Sequence, residues 1–127
     1  MRVLFDTPAL YVAAGISDLM FTPKVQRLLE PSETVRLVSP VSFNEIAIKA
    51  NKGLTPLTEE HIEQIIFDLG LTVLPSTAKH FYKPFGLPAH HSDPFDRILI
   101  ATALAEDVSF VANDREFGKY KGLRVIW

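Results

Sequence analysis

The chain has 127 residues, a formal net charge of −2 and 47% hydrophobic residues. This length fits one compact domain over residues 1–127, and the apolar content excludes an intrinsically disordered chain. Cysteine is absent, which excludes disulfides, thiolate zinc sites and cysteine nucleophiles. A nucleic-acid partner would have to be held by a local basic patch or by metal ions. No apolar run has the length of a secretory signal or a membrane span, so we expect a cytoplasmic protein without membrane contact.

Strand-like and helix-like segments alternate along the chain. In order, the pattern predicts a strand (2–5), two helices (8–15, 22–30), a strand (35–38), two helices (39–53, 58–70), a strand (71–75), a short helix (77–85), a helix from Pro94, a strand (109–113), a helical turn (114–120) and a strand (123–127). This alternation is typical of an α/β fold with a mainly parallel sheet covered by helices on both faces. Such folds place their sites beyond the carboxyl ends of the strands.

Two acids stand where predicted strands end. Asp6 follows the first strand and Asp114 follows "FVAN". Each has a structural explanation, because Asp6 or Thr7 suits the N-cap of the next helix and Asp114 suits an N-cap or turn. Taken together, they occupy equivalent positions at one rim of the sheet.

Glu45 belongs to a helix that is apolar on nearly two sides. It shares one helical line with Val41 and Ile48. A carboxylate within a buried stripe is rare unless it is paired or binds a metal, which favours a functional role. The competing explanation is a salt bridge to Lys49 at i+4, worth only a few tenths of a kcal/mol.

Asp93 and Asp96 flank Pro94 at the start of a long apolar helix. Their spacing is that of a capping box, and we assign Asp93 as the N-cap. Asp96 shares a line with Leu99 and Ile100, so its side chain points to the side of the helix that packs. An ionised acid there is costly without a cation.

Four acids on four separate elements are thus candidates for one site at the sheet rim: Asp6, Glu45, Asp96 and Asp114. Carboxylates without cysteine, and without histidines at metal-ligand spacing, select Mg²⁺ or Mn²⁺ over zinc. Such ions activate water and neutralise a phosphodiester during hydrolysis.

Five segments of the sequence resemble the successive motifs of PIN-domain proteins, in particular the VapC-type toxins of bacterial toxin-antitoxin pairs. They are "VLFDTPAL", "SFNEIAIK", "SDPFDRILIATALA", "FVANDREF" and the terminal "RVIW", and they span the chain. The resemblance implies a three-layer α/β/α sandwich and a Mg²⁺- or Mn²⁺-dependent endoribonuclease whose acidic quartet is Asp6, Glu45, Asp96 and Asp114. It also implies an RNA substrate, a homodimer, and inhibition by a cognate antitoxin that lies along a hydrophobic groove.

The chain departs from this family pattern in three places. The family often has Thr or Ser two residues before its last acid, where this chain has Ala112, so a hydroxyl beside Asp114 is missing. Pro8 stands where His or Ser is common, and Phe43-Asn44 stands where a Trp-Glu pair is familiar. These departures leave the substrate contacts open, and Asp93 is an alternative to Asp114 as the fourth acid, although capping suits it better.

Several other residues invite a role. Arg97 and Lys49 are candidate phosphate contacts, although a surface ion pair is the commoner fate of either. His90 and His91 are expected in a flexible, exposed loop, and His61 and His80 at the surface or its boundary. Core packing is expected for four side chains that could otherwise line a partner groove, and for the last residue: Tyr11, Met20, Phe21, Phe67 and Trp127.

Two other functions fit the same fold class. One is a non-catalytic binding or scaffold domain with a degraded metal site, suggested by Ala112 before Asp114. The other is a phosphoacceptor switch with Asp6 in its acidic pocket, which the chain disfavours because no obvious lysine follows a late strand. Mn²⁺ binding that depends on Asp6 and Asp96 separates the nuclease from the scaffold.

Overall fold

The computed structural model describes residues 1–127 and alternates strands with helices. The strands are β1 (Arg2–Phe5), β2 (Val35–Val38), β3 (Thr72–Val73), β4 (Ser109–Val111) and β5 (Val125–Ile126). The helices are α1 (Thr7–Ala13), α2 (Pro23–Leu29), α3 (Pro40–Asn51), α4 (Glu59–Asp68), α5 (Ala78–Tyr82) and α6 (Pro94–Glu106), with 3-10 helices at Lys83–Gly86 and Arg115–Lys119. No helix has both the length and the hydropathy needed to cross a bilayer.

All five strands form one sheet in the order β3-β2-β1-β4-β5, and every neighbouring pair is parallel. Leu4 in the central strand β1 is in register with Leu37 on one side and Phe110 on the other. Because the strands are parallel, their carboxyl ends meet at one edge. The chain builds outward from β1 in one direction and then crosses to β4, so this edge has its topological switch point between β1 and β4.

Side chains alternate across the sheet and create two cores. Leu4, Leu37 and Phe110 pack with α6 on one face, whereas Val3, Phe5 and Val111 pack with α1, α2 and α4 on the other. Helix α3 contributes to both, through Val41 and Ile46. The predicted three-layer α/β/α fold is therefore confirmed. Trp127 packs as expected, with its ring 5.3 Å from that of Phe21 in an edge-on contact.

The last three strands are shorter than the sequence pattern predicts. β3 covers two residues because it pairs only with Leu37 and Val38 at the end of β2. Directly after this strand the backbone turns at Ser39 into α3. The predicted helix over 77–85 divides into α5 and a 3-10 helix that has Pro84 in its first turn. A proline ring cannot continue the i to i−4 hydrogen bonds of an α-helix, which explains the change.

Proline-led N-termini place four helix starts at the carboxyl edge of the sheet. The N-caps Asp6 and Asp93 and the hydroxyls of Thr22 and Ser39 each accept hydrogen bonds from the first turn that follows them. Short polar caps before proline at N1 or N2 are strong helix starts. One of them, α6, carries an acid in its first turn, Asp96.

Candidate metal centre

The structure places all four candidate acids beyond the carboxyl ends of the strands. Asp6 follows β1 and caps α1, and Asp114 lies three residues after β4. Glu45 lies in the second turn of α3, and Asp96 lies in the first turn of α6. The negative charges of the other three acids each raise the pKa of Asp6, so the four carboxylates share one electrostatic environment.

Asp6 is the most buried of the four, with 2% of its surface exposed. Burial, followed by the charges of its neighbours, raises its pKa to about 7, although a 2.8 Å hydrogen bond from Ala9 N–H to Oδ1 opposes the shift. The capping explanation and the functional one therefore both apply to this residue. One oxygen caps α1, and burial of the carboxylate opposes its ionisation.

Glu45 is buried within a network of hydroxyls that the sequence analysis did not predict. Its Oε1 accepts a 2.9 Å hydrogen bond from Thr7 Oγ1, which lies 3.0 Å from Ser42 Oγ. Its Oε2 accepts from Lys49 Nζ at 2.9 Å, the salt bridge considered above. The hydrogen bond from Lys49 to Glu45 raises the pKa of Lys49. Ser42 precedes Glu45 by three positions on one helical face, a spacing that could have identified it.

The two acids at the start of α6 have different roles. Asp93 Oδ1 accepts from Phe95 N–H at 2.8 Å and Asp96 N–H at 3.0 Å, which confirms Asp93 as the N-cap. Asp96 is half-buried, and desolvation followed by the charge of Asp93 raises its pKa to about 6. The charges of Glu45 and Asp114 also raise this pKa, so Asp96 shares the electrostatic environment of Asp6.

Asp114 is the most exposed acid of the four, with 47% of its side chain accessible. Its Oδ1 accepts a 2.9 Å hydrogen bond from Glu116 N–H, which is the largest cause of its lowered pKa. Its Oδ2 lies 3.0 Å from His91 Nε2. It remains close enough to raise the pKa of both Asp6 and Asp96.

Arg97 is not free to contact phosphate in this structure. Its guanidinium donates to the backbone carbonyls of Pro84, Leu87, Pro88 and His91, at 2.9–3.2 Å. The expectation of a phosphate contact or a surface ion pair is therefore wrong. Arg97 fixes the loop before α6 by donating to four carbonyls, of which only that of Pro84 also accepts a backbone hydrogen bond, from Leu87 N–H.

Two of the four histidines are also placed differently from the prediction. The side chain of His91 is only 8% exposed, and that of His80 is 1% exposed, with Nε2 2.8 Å from Glu106 Oε1. His80 Nδ1 accepts from Thr77 N–H, and His61 repeats this arrangement with Thr58. The Thr-x-x-His spacing resembles that of a capping box, and it could have predicted these contacts from the sequence. His90 and His61 are exposed, as expected.

The expectation of core packing holds for only part of the apolar set. Tyr11 and Phe21 pack against the core on the α1 face, whereas Met20 is 76% and Phe67 82% exposed. A separate apolar groove lies between α3 and α4. It has a volume of about 590 Å³, and its lining includes Phe43, Ile46, Ala47, Leu57, Ile62 and Ile66.

Comparison with known proteins decides the family. The model of the family described as "PIN domain" matches residues 3–123, nearly the whole chain. The chain belongs to the PIN-domain family. A search of curated proteins gives no significant match to this PIN domain.

Two solved structures share the fold of this PIN domain. One is VapBC2 from Rickettsia felis bound to a DNA fragment from its promoter, at 16% identity and a TM-score of 0.72, covering 99% of this chain and 98% of that one. The other is FitAcB from Neisseria gonorrhoeae, at 18% identity and a TM-score of 0.61, covering 98% and 96%. At these identities the likeness concerns the fold alone. The resemblance to PIN-domain proteins is thus confirmed.

The donor set of this PIN domain fits a hard divalent cation in its chemistry. All four candidate ligands are carboxylates, and Asp6 and Asp96 have raised pKa values because burial and like charge oppose their ionisation. No three acidic or histidine side chains are grouped closely enough to hold an ion as they stand. Hydrogen bonds hold two of the four acids, Glu45 to Thr7 and Lys49 and Asp114 to His91.

Proposed function

We propose that this chain is a Mg²⁺- or Mn²⁺-dependent endoribonuclease and the toxin of a toxin-antitoxin module, acting in the cytoplasm as one nuclease domain over residues 1–127. The observation that carries the proposal is the set of four carboxylates at the switch point of a PIN fold, two of them with pKa values raised by burial and like charge. Raised pKa values in such a cluster are typical of functional sites. A divalent cation would reduce the repulsion between these carboxylates, which is stronger where burial excludes water.

Asp6, Glu45, Asp96 and Asp114 would hold the cation in this proposal. The ion supplies an activated water and neutralises charge on the attacked phosphodiester. Thr7 and Ser42 orient the Glu45 carboxylate, because their hydroxyls are buried and hydrogen-bonded to it directly or through each other. Asp93 keeps Asp96 in the first turn of α6 by capping that helix.

Lys49 is the candidate for contact with the RNA backbone. Its side chain is 43% exposed and its ammonium reaches the site through Glu45, so it can approach a phosphate from the solvent side. A lysine in this position supplies charge to any sequence and does not select a base. Because Arg97 is hydrogen-bonded to the loop before α6, Lys49 is the remaining candidate of the two basic residues for contact with a phosphate.

Substitution of Asp96 tests the catalytic proposal. Asp96→Asn keeps the shape of the side chain but removes its charge, and we expect a loss of roughly a hundredfold or more in Mg²⁺-dependent cleavage of single-stranded RNA, with no loss of thermal stability in the metal-free protein. Asp93→Asn is the matched control, since asparagine caps helices as well as aspartate does. Full activity in Asp96→Asn would refute the proposal. Mn²⁺ calorimetry that finds no binding dependent on Asp6 and Asp96 would favour a non-catalytic scaffold instead.

The groove between α3 and α4 is our candidate site for the cognate antitoxin. It is lined mostly by apolar side chains, and Glu59 and Glu63 lie at its wall. An amphipathic segment whose apolar side enters the groove and whose flanks are basic would fit this surface. The proposal is supported by the fold shared with VapBC2 and by the lack of any segment of this chain filling the groove.

A charge placed in the groove tests this partner. Ala47 is an exposed helix residue in the groove wall, so Ala47→Glu adds a charge without burying it in the core. We expect this variant to cleave RNA but to escape inhibition by the antitoxin encoded in a neighbouring reading frame. Lys52→Glu, at the residue that caps the end of α3 and lies outside the groove, should remain inhibited. Equal inhibition of both variants would show that the antitoxin does not bind in the groove.

We also propose that the protein is a homodimer. Aromatic side chains are exposed side by side at α5 and the following 3-10 helix, with Phe81 52%, Tyr82 56% and Phe85 95% accessible. An apolar patch of this kind is typical of a contact surface. Sedimentation of Phe85→Ser should show a monomer where the unmodified protein is a dimer, and an unchanged dimer would place the contact elsewhere.

A further inference from the structure

His91 occupies a constrained position between an acid of the candidate site and the core. Its Nε2 lies 3.0 Å from Asp114 Oδ2, and its Nδ1 lies 3.0 Å from Tyr120 Oη. The imidazole stacks on the Phe117 ring at 4.3 Å with an interplanar angle of 12°. Only 8% of the side chain is exposed. Both ring nitrogens and one ring face are therefore engaged.

The partners of the two nitrogens determine the direction of the hydrogen bonds. The Asp114 carboxylate can only accept, so Nε2 carries the proton and donates to Oδ2. In the neutral ring Nδ1 then accepts, and the Tyr120 hydroxyl donates to it. The result is a directed chain from Tyr120 through His91 to Asp114. Tyr120 is 2% exposed, which anchors this chain in the core.

The backbone of His91 is fixed as well as its ring. Arg97 Nη1 donates to the His91 carbonyl oxygen at 3.2 Å and to that of Pro88 at 2.9 Å. Because Arg97 is on the same helix turn as Asp96, the loop that carries His91 is tied to the helix that presents the second acid. The ring is thus fixed relative to both Asp96 and Asp114.

We propose that His91 is the positioning residue for Asp114. Asp114 Oδ1 is held by a local backbone hydrogen bond, whereas Oδ2 depends on His91. Without His91, an acid with a 47% exposed side chain is free to rotate into solvent. The inference rests on the proposed metal-dependent function, because it assigns to His91 the orientation of one cation ligand. Outer hydrogen bonds of this kind set ligand orientation in metal sites.

Three substitutions of His91 separate positioning from packing. Glutamine can place an amide N–H where Nε2 stood, asparagine reaches only the position of Nδ1, and alanine supplies neither. We expect His91→Asn and His91→Ala to weaken Mn²⁺ binding by about 10- to 100-fold, as outer-shell substitutions do, and His91→Gln to recover most of the affinity. Calorimetry measures the affinity, and the kcat for RNA cleavage should follow the same order. His90→Ala, which removes the exposed neighbour, should bind as the unmodified protein does.

A purely structural role would give a different pattern. The three variants would then lower the melting temperature while binding Mn²⁺ equally well, and that result would overturn the proposal. In an Asp114→Asn background, His91→Ala should cause no further loss of Mn²⁺ affinity, and an additive loss would also overturn it. Mn²⁺ binding with no RNA cleavage would refute the proposed nuclease but leave the role of His91 measurable. Absence of Mn²⁺ binding in the unmodified protein would refute both.

Discussion

Thr7 donates a 2.9 Å hydrogen bond from Oγ1 to Oε1 of Glu45, joining the residue after Asp6 to the second turn of α3. Both side chains are buried, and Thr7 is 1% exposed. The contact links two of the four acids through a single hydroxyl. It also explains why Glu45 is tolerated in a helix that packs on both cores, since both of its oxygens accept hydrogen bonds.

Removal of this hydroxyl should disturb the site more than the fold. Thr7→Val keeps the shape of the side chain but leaves Ser42 and Glu45 short of a partner, which costs about 1–3 kcal/mol of unfolding free energy. We expect RNA cleavage to fall by roughly 10- to 100-fold, because the Glu45 carboxylate loses its orientation. Thr7→Ser keeps the hydroxyl and should retain activity. Equal activity of the two variants would show that the hydroxyl plays no part.

The buried charge of Asp6 predicts a pH dependence of stability. Its pKa is about 7 in the folded protein and 3.8 in the unfolded chain. Between these two pH values the folded protein keeps a proton on Asp6 that the unfolded chain has released. The contribution of Asp6 to stability in the metal-free protein therefore falls as the pH rises from about 4 to 7 and is constant above that range. Asp6→Asn retains the helix cap and removes the charge. The variant should be more stable than the unmodified protein at pH 7.5 and nearly equal to it at pH 4.5.

Chemical denaturation at several pH values measures this difference. The lowered pKa of Asp114 makes stability rise with pH, but only below about pH 4, so it does not obscure the fall in stability caused by Asp6. A stability difference that is independent of pH between 4.5 and 7.5 would contradict the assigned ionisation. RNA cleavage should be lost in Asp6→Asn at every pH, which would make this a stabilising substitution at an active site.

Addition and removal of divalent ions should change stability through the same carboxylates. A ligand that binds only the folded state stabilises it by RT ln(1 + [L]/Kd), about 2.7 kcal/mol at a hundredfold excess over Kd. Mn²⁺ should therefore raise the melting temperature at pH 7.5, and a chelator should reverse the change. Asp6→Asn and Asp96→Asn should abolish the response, whereas Asp93→Asn should preserve it. An equal response in all three variants would indicate binding elsewhere.

The strand-end acids and the fold were predictable because they depend on local signals. Alternating apolar runs, Pro-led helix starts and an acid after a strand all appear within a few residues of one another, and Asp6 could be located in this way. His91 was assigned wrongly because its side-chain partners are distant in the sequence, and Arg97 because its partners are loop carbonyls, which no sequence pattern marks. Nothing near "PAHHSD" shows that Arg97 would occupy the loop carbonyls or that Phe117 and Tyr120 would enclose one of two adjacent histidines. A pattern of adjacent histidines predicts exposure only where no residue from a later segment fixes the loop.

Arg97 should stabilise the loop by more than a surface ion pair does. Arg97→Lys retains the charge but cannot span four carbonyls, and we expect a loss of about 1–3 kcal/mol because part-buried carbonyls lose a charged donor. Arg124→Lys is the matched control, since Arg124 is 54% exposed and pairs with the exposed Asp107. That control should cost clearly less, because both partners of the pair are exposed. Urea denaturation compares the two, and similar losses would mean that the loop contacts contribute little.

Lys49 provides the most direct test of how RNA is bound. Lys49 is partly exposed but its partner Glu45 is buried, so Lys49→Gln, whose amide can still donate to Glu45, should lower the unfolding free energy by roughly 1 kcal/mol. If its ammonium contacts a phosphate, KM for a short RNA should rise several-fold with a smaller change in kcat, and the salt dependence of KM should weaken. Lys52→Gln, on the exposed end of the same helix, should leave both constants unchanged. A fall in kcat with constant KM would instead show that Lys49 acts through Glu45.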